Sequence, residues 1–207
     1  MIFHGDYLDP YPDEGIGPLT AQHGLEDIMR YYDKHKDKVV LLLGNHDMHY
    51  LSPYYRELCP SDWYEEELSS YYRFLFTEAG RFKLAHEETV AGQKYLFTHA
   101  GVNWPWVHRN KDLIKVPDAE HLNRLLLTDE GIEALAQVGI VRWGDYLTGS
   151  IVWCDCDELE LSDPLPDIYQ IVGHSQQIGS SPIITSHFAC LDCRTAFVLD
   201  AEGIRKV

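Results

Sequence analysis

The chain has no apolar run approaching the roughly 18 to 20 residues of a membrane-spanning helix. Its start, Met1-Ile2-Phe3, opens onto a strand pattern, where a secretion signal would show a basic region followed by an apolar segment. A soluble cytoplasmic protein is expected. Positive charge is scarce: 17 lysines and arginines face 33 acidic residues, giving a formal net charge of -16. Such a surface repels a nucleic-acid backbone and an anionic membrane, so neither is expected as the main partner, and bound cations would offset part of the charge. The five cysteines, an odd number with no secretion signal, point to reduced thiols over a disulfide framework. No internal repeat, low-complexity tract or long linker divides the sequence. Its 207 residues, 45% apolar, suffice to bury a core as one domain over 1–207.

What the chain does have is one design used four times, an apolar strand-like run that stops at a metal-competent side chain. The runs are Ile2-Phe3-His4-Gly5-Asp6, Val39 to Leu43 followed by Gly44-Asn45-His46-Asp47, Tyr95 to Thr98 followed by His99-Ala100-Gly101, and Tyr169 to Val172 followed by Gly173-His174. In α/β folds the ligand crevice lies at the carboxyl ends of strands, so Asp6, Asn45, His99 and His174 are candidates for a single site. One carboxylate, one amide oxygen and two imidazoles suit a borderline divalent ion.

Between these runs, a turn at Gly15 to Pro18 leads to a helix from Leu19 to His35 and a strand from Lys38 to Leu43, a β-α-β unit. Ser61 is the expected N-cap before a helical pattern from Tyr64 to Glu78, and Asp118 and Asp129 open two more helices ending near Gly139. After Ile168 short apolar runs dominate, at Ile168 to Val172, Pro182 to Thr185, Phe188 to Leu191 and Thr195 to Leu199. Helices among early strands, then consecutive strands, predict an α/β fold with a mixed sheet or two stacked sheets and helices outside.

Gly5-Asp6-Tyr7-Leu8-Asp9, Gly44-Asn45-His46-Asp47, His99-Ala100-Gly101 and Gly173-His174-Ser175 resemble, in order, the signatures of the calcineurin-like metallophosphoesterases. The segment Gly149 to Asp155, with Trp153, is similar to the tryptophan segment of the Ser/Thr protein phosphatase branch, and Cys190-Leu191-Asp192 to its late strand; Gly44 to Leu51 and Thr98 to Gly101 also resemble bacterial diadenosine tetraphosphate hydrolases. The resemblance implies an αββα sandwich of two mixed sheets flanked by helices, with a binuclear metal centre whose bound hydroxide attacks a phosphate ester in line. It makes Asp6 the bridging carboxylate, with Asn45, His99 and His174 completing one metal's shell. Manganese or iron is favoured, with zinc as the alternative. His46 is implied as the group that protonates the leaving-group oxygen or stabilises charge on the phosphoryl group, held by Asp9, while Asp47 has a weaker claim to a role; the alternative for Asp47 and Asp9 alike is that they cap a helix and a turn. The substrate is a phosphorylated compound: a phosphoprotein, a dinucleoside polyphosphate or a small phosphomonoester.

Two departures from the family pattern stand out. The family begins with an Asp-x-His strand that holds the first metal, and no such strand precedes Gly5-Asp6. His4, two residues before Asp6, shares its face if the strand's alternation continues and is the candidate substitute. The expectation is an N-terminally shortened domain with its first strand missing, one complete metal shell, and an exposed sheet edge open to self-association. The phosphatases also follow the second aspartate with Arg-Gly, whereas Asp9 precedes Pro10-Tyr11-Pro12. Arg142 is the candidate to replace that phosphate-gripping fork. Tyr7 and Tyr11 are candidates for stacking or for packing.

Two other features compete for a role. Cys154, Cys156, Cys190 and Cys193 form pairs that four-thiolate zinc would need, although buried apolar packing is the simpler reading of both. The stretch from Asp155 to Asp167, with six acids and no base, reads as a solvated loop. A catalytically weak one-metal relative that binds a phosphorylated ligand or a protein is the alternative function.

Overall fold

The computed structural model describes residues 1–11, 14–61, 64–77, 80–177 and 181–207, and the chain falls into two compact units, Met1–Lys83 and Leu84–Val207. The first unit runs β1 (Ile2–Phe3), α1 (Pro18–Lys34), β2 (Val40–Leu42), α2 (Asn45–Leu51), α3 (Pro53–Leu58), α4 (Ser69–Thr77) and β3 (Phe82–Lys83). Its sheet is parallel in the order β1-β2-β3, with Ile2 opposite Val40 and Leu41 opposite Phe82. Pro18 starts α1 where its missing N–H costs nothing, and Leu25 and Met29, one turn apart, are its buried side chains. Ser52 caps α3 by accepting the Tyr55 N–H at 3.2 Å, again with a proline next.

Helix α2 is the unusual element. Asn45 to Tyr50 are all buried, although five of these six are polar or titratable, so every one of those groups needs a partner inside the fold. It packs against α3 and α4, and the aromatic rings of Tyr50, Tyr72, Phe76 and Phe82 follow one another in contact beside it. The helix expected from Tyr64 forms only from Ser69, after a 3-10 turn at Glu66–Leu68. Ser61 is therefore not the N-cap of that helix, and Glu78 lies outside the described residues.

The second unit runs β4 (Ala85–Val90), β5 (Gln93–Thr98), α5 (Trp104–Arg109), α6 (Ala119–Arg124), α7 (Asp129–Leu135), α8 (Cys156–Leu161), β6 (Ile168–Val172), β7 (Ile183–Ile184), β8 (Phe188–Cys190), β9 (Phe197–Asp200) and β10 (Gly203–Lys206). Five strands make a mixed sheet in the order β4-β5-β6-β8-β7, and β9 pairs with β10 as a hairpin. The expected α/β class with a mixed sheet is borne out. Asp118 caps α6, whereas Thr128, not Asp129, caps α7 by accepting from Gly131. Strands β3, β4 and β10 were not anticipated. In β4 the polar run His86-Glu87-Glu88 hides a strand that the tight turn Ala91-Gly92, both at positive φ, folds onto β5.

The first half of the acidic stretch is a helix, and only residues 162–167 are the loop expected. Asp155 and Glu158 form a capping box that starts α8, and Glu158 is buried, its Oε2 accepting from Gly149 N–H at 2.8 Å. Around it, Ala100, Cys154, Cys156, Leu159, Val172, Phe188 and Cys190 form an apolar cluster.

Candidate functional site

In the first unit β1 and β2 lie side by side and both end in glycine-led turns. Gly5, at φ 95°, approaches Gly44 so closely that a Cβ on it would lie 2.3 Å from the Gly44 nitrogen; a Cβ on Gly44 would lie 2.0 Å from the Asp6 carboxylate. The two glycines therefore let the strand ends touch. Asp6 and Asp9 both take left-handed backbone conformations, at φ 56° and 55°, which cost non-glycine residues free energy and cluster at functional sites. Because β1 ends at Phe3, the alternation that would place His4 on the face of Asp6 does not reach Asp6.

Asp47 binds these turns together. Its carboxylate accepts from Asp6 N–H at 2.8 Å, Tyr7 N–H at 3.0 Å and Gly44 N–H at 2.9 Å, so it serves as a main-chain clamp. Burial first, then the neighbouring Asp6 charge, raises its carboxyl, and the three N–H groups oppose them. The capping reading of Asp47 is the one the geometry supports.

His46, the second residue of α2, donates its backbone N–H to Asp6 Oδ1 at 3.1 Å. Its Nδ1 lies 2.9 Å from the Asp9 backbone carbonyl, and its Nε2 lies 3.2 Å from the Tyr11 hydroxyl. Asp9 thus holds the imidazole through its main chain and not, as expected, through its carboxylate. The carboxylate instead accepts from the Tyr50 hydroxyl at 2.6 Å, and burial pushes it up to about 6. Asn45 is buried at the start of α2.

In the second unit β5 and β6 are parallel neighbours, which sets the residues after them side by side. Gly173 N–H donates to the His99 carbonyl at 2.7 Å, and His99 Nε2 lies 3.2 Å from His174 Nδ1. His174 too sits at positive φ, 64°, and Trp153 packs edge-on against it, with ring centroids 5.7 Å apart. A set of charged hydrogen bonds fixes the His174 turn. Arg142 Nε donates to Asp155 Oδ2 at 2.8 Å, and its Nη2 reaches Asp155 Oδ2 at 2.7 Å, Ser175 Oγ at 3.1 Å and the His174 carbonyl at 3.4 Å. Ser175 Oγ donates its own proton to Asp155 at 3.2 Å and also accepts from Cys156 N–H. Arg142 is therefore an anchored guanidinium next to His174. The parts of Asp155, Ser175 and Tyr11 were not foreseen, although the Asp155-x-x-Glu158 spacing is itself a capping signal.

The cysteines lie where the packing reading puts them. No cysteine joins a group of three or more potential ligands among the described residues, and all five thiols are free and buried. Burial raises the Cys154 thiol, and the hydrogen bond between Cys156 and Cys190, together with burial for Cys156, raises Cys156 and lowers Cys190. Cys190 donates to the Ser175 carbonyl at 3.3 Å and so braces the His174 turn. Two Asp-x-His tripeptides do occur downstream, Asp33-Lys34-His35 and Asp47-Met48-His49, but they fall at the end of α1 and inside α2 and end no strand.

The facing histidines fit a metal. His99 Nε2 and His174 Nδ1 stand 3.2 Å apart, close enough for both nitrogens to reach one ion. Paired imidazoles at neighbouring strand ends of an α/β scaffold are a donor pattern that metallohydrolases use. The chain belongs to the calcineurin-like phosphoesterase family, whose model matches residues 1–177. Members of this family are hydrolytic phosphoesterases that use divalent metals. No curated protein sequence matches the chain. No helix among the described residues is long and apolar enough to cross a membrane.

Proposed function

We propose that this chain is a metal-dependent phosphoesterase in which Asp6, Asn45, His99 and His174 hold a divalent ion, manganese or iron by preference. When bound, the metal supplies Lewis acidity toward phosphoryl oxygens and lowers the pKa of water at the site. The chain's own residues do the rest. Arg142 presents its guanidinium to the phosphoryl group while Asp155 and Ser175 hold its orientation. His46 donates a proton from Nε2 to the leaving-group oxygen, with Nδ1 fixed on the Asp9 carbonyl. The observation that carries this reading, beside family membership, is the pair of imidazole nitrogens 3.2 Å apart at neighbouring strand ends. The test is manganese-dependent hydrolysis of p-nitrophenyl phosphate by the purified chain, with manganese binding followed by calorimetry. Asp6→Asn should lower kcat/KM at least about 100-fold, as loss of an ion-holding group does. A chain that neither binds manganese nor hydrolyses the ester sinks the proposal.

A further inference from the structure

The surroundings of His46 decide which of its nitrogens works. A carbonyl oxygen can only accept, so the 2.9 Å contact with the Asp9 carbonyl requires the proton on Nδ1, and Nε2 is the atom turned toward chemistry. What meets Nε2 is the Tyr11 hydroxyl, at 3.2 Å, with the two rings edge to face at 88° and their centroids 5.1 Å apart. Tyr11 is held in this place by Glu14. The Tyr11 N–H donates to Glu14 Oε2 at 3.1 Å, and the Glu14 N–H donates back to the Tyr11 carbonyl at 3.0 Å. The tyrosine is nonetheless 39% exposed, within reach of an arriving ligand.

A hydroxyl suits this position because it bonds imidazole in either protonation state, donating to the neutral ring and accepting from the cation. An ester oxygen can only accept. The two therefore compete for the same nitrogen, and the hydroxyl has the wider competence. We infer that Tyr11 is a positioning residue whose hydroxyl stands on His46 Nε2 in place of the leaving-group oxygen, so that a phosphate ester must displace it before turnover. This inference rests on the phosphoesterase reading of His46. It also gives a role to the tyrosine that follows Asp9-Pro10 in the sequence.

Tyr11→Phe tests it, because the variant keeps the ring and its packing while removing the competitor. With p-nitrophenyl phosphate as substrate, KM should fall roughly three- to tenfold, the worth of one hydrogen bond, and kcat should move less than KM. The dissociation constant of inorganic phosphate for the manganese-loaded protein should fall in parallel. In metal-free protein the nitrogen-15 NMR signal of His46 Nε2 should shift on losing its partner, a signature that mere packing would not produce. An unchanged KM and phosphate affinity, or a higher KM, overturns the inference. If the wild-type chain hydrolyses no ester, the phosphoesterase reading fails by itself. The phosphate affinity and the Nε2 signal then still decide the part of Tyr11.

Discussion

The two units solve the same problem, fixing metal-competent side chains at strand ends, with different materials. In the first, the holder is the main chain: two glycines in close approach and one buried carboxylate, Asp47, gathering three backbone N–H groups. In the second, the holder is a side-chain network: Arg142, Asp155 and Ser175 around the His174 turn. A backbone clamp is stiff and intolerant, since two of the three N–H groups it releases, those of Tyr7 and Gly44, are left unpaired in the interior. A side-chain network is softer, being partly exposed and able to rearrange. The difference teaches that mutations of equal size should damage the first unit mainly in stability and the second mainly in function.

The most severe test is Asp47→Ala. Three N–H groups lose their acceptor, those of Tyr7 and Gly44 in the interior and that of Asp6 partly open to water, and at about 1 to 3 kcal/mol for each buried one the loss should reach about 3 kcal/mol after relaxation. Asp47→Asn should recover part of the loss, because an amide oxygen in the place of Oδ2 keeps the Asp6 and Gly44 N–H groups while the amide nitrogen faces the Tyr7 N–H. Urea unfolding measures both, and a loss below about 1 kcal/mol for the alanine variant would show that the clamp is not what holds these turns.

Asp9→Asn comes next and reads the interior of the first unit through pH. Burial raises the Asp9 carboxyl from 3.8 to about 6, with the Tyr50 hydrogen bond opposing it. Between those values the folded state keeps a proton that the unfolded chain has released. The stabilising contribution is thus present below the unfolded value and is lost as pH rises through the window. Asparagine cannot ionise and keeps an oxygen for Tyr50. In metal-free protein its stability relative to wild type should grow from near zero at pH 4 to a ceiling of about 3 kcal/mol at pH 7. A difference that stays flat with pH would place the proton elsewhere.

The same contrast explains what could be read in advance. The four strand ends were legible because each is a local pattern, an apolar run stopped by glycine and a polar residue. The roles of Asp47 and Arg142 were not, because Asp47 meets Tyr7 from 40 residues away and Arg142 meets Ser175 from 33 away. No local spacing encodes such meetings. Strand β4 was missed for another reason: with one face half-buried its polar residues outweigh its β pattern, and only the Ala91-Gly92 turn announced it. The acidic stretch misled because six like charges were weighed as charge, while Asp155 and Glu158 serve as hydrogen-bond acceptors at the start of α8. Counting charge does not reveal what a carboxylate accepts.

Arg142 provides the mildest test in energy and the sharpest in kind. Its side chain is 28% exposed, and without it Asp155 keeps Ser175 Oγ and the Asp157 N–H, so Arg142→Ala should cost only about 1 to 2 kcal/mol. Arg142→Lys restores the charge but not the planar fork. One ammonium can pair with Asp155, yet it cannot at once span Asp155, Ser175 and the His174 carbonyl as the guanidinium does. Lysine should therefore bring stability back to within about 0.5 kcal/mol of wild type. The affinity of the manganese-loaded protein for inorganic phosphate should stay roughly tenfold or more below wild type. If lysine restores both, the second unit needs only a positive charge beside His174, and the contrast between a backbone clamp and an oriented side-chain network collapses. If it restores stability alone, orientation of the guanidinium is what Asp155 and Ser175 are there to supply.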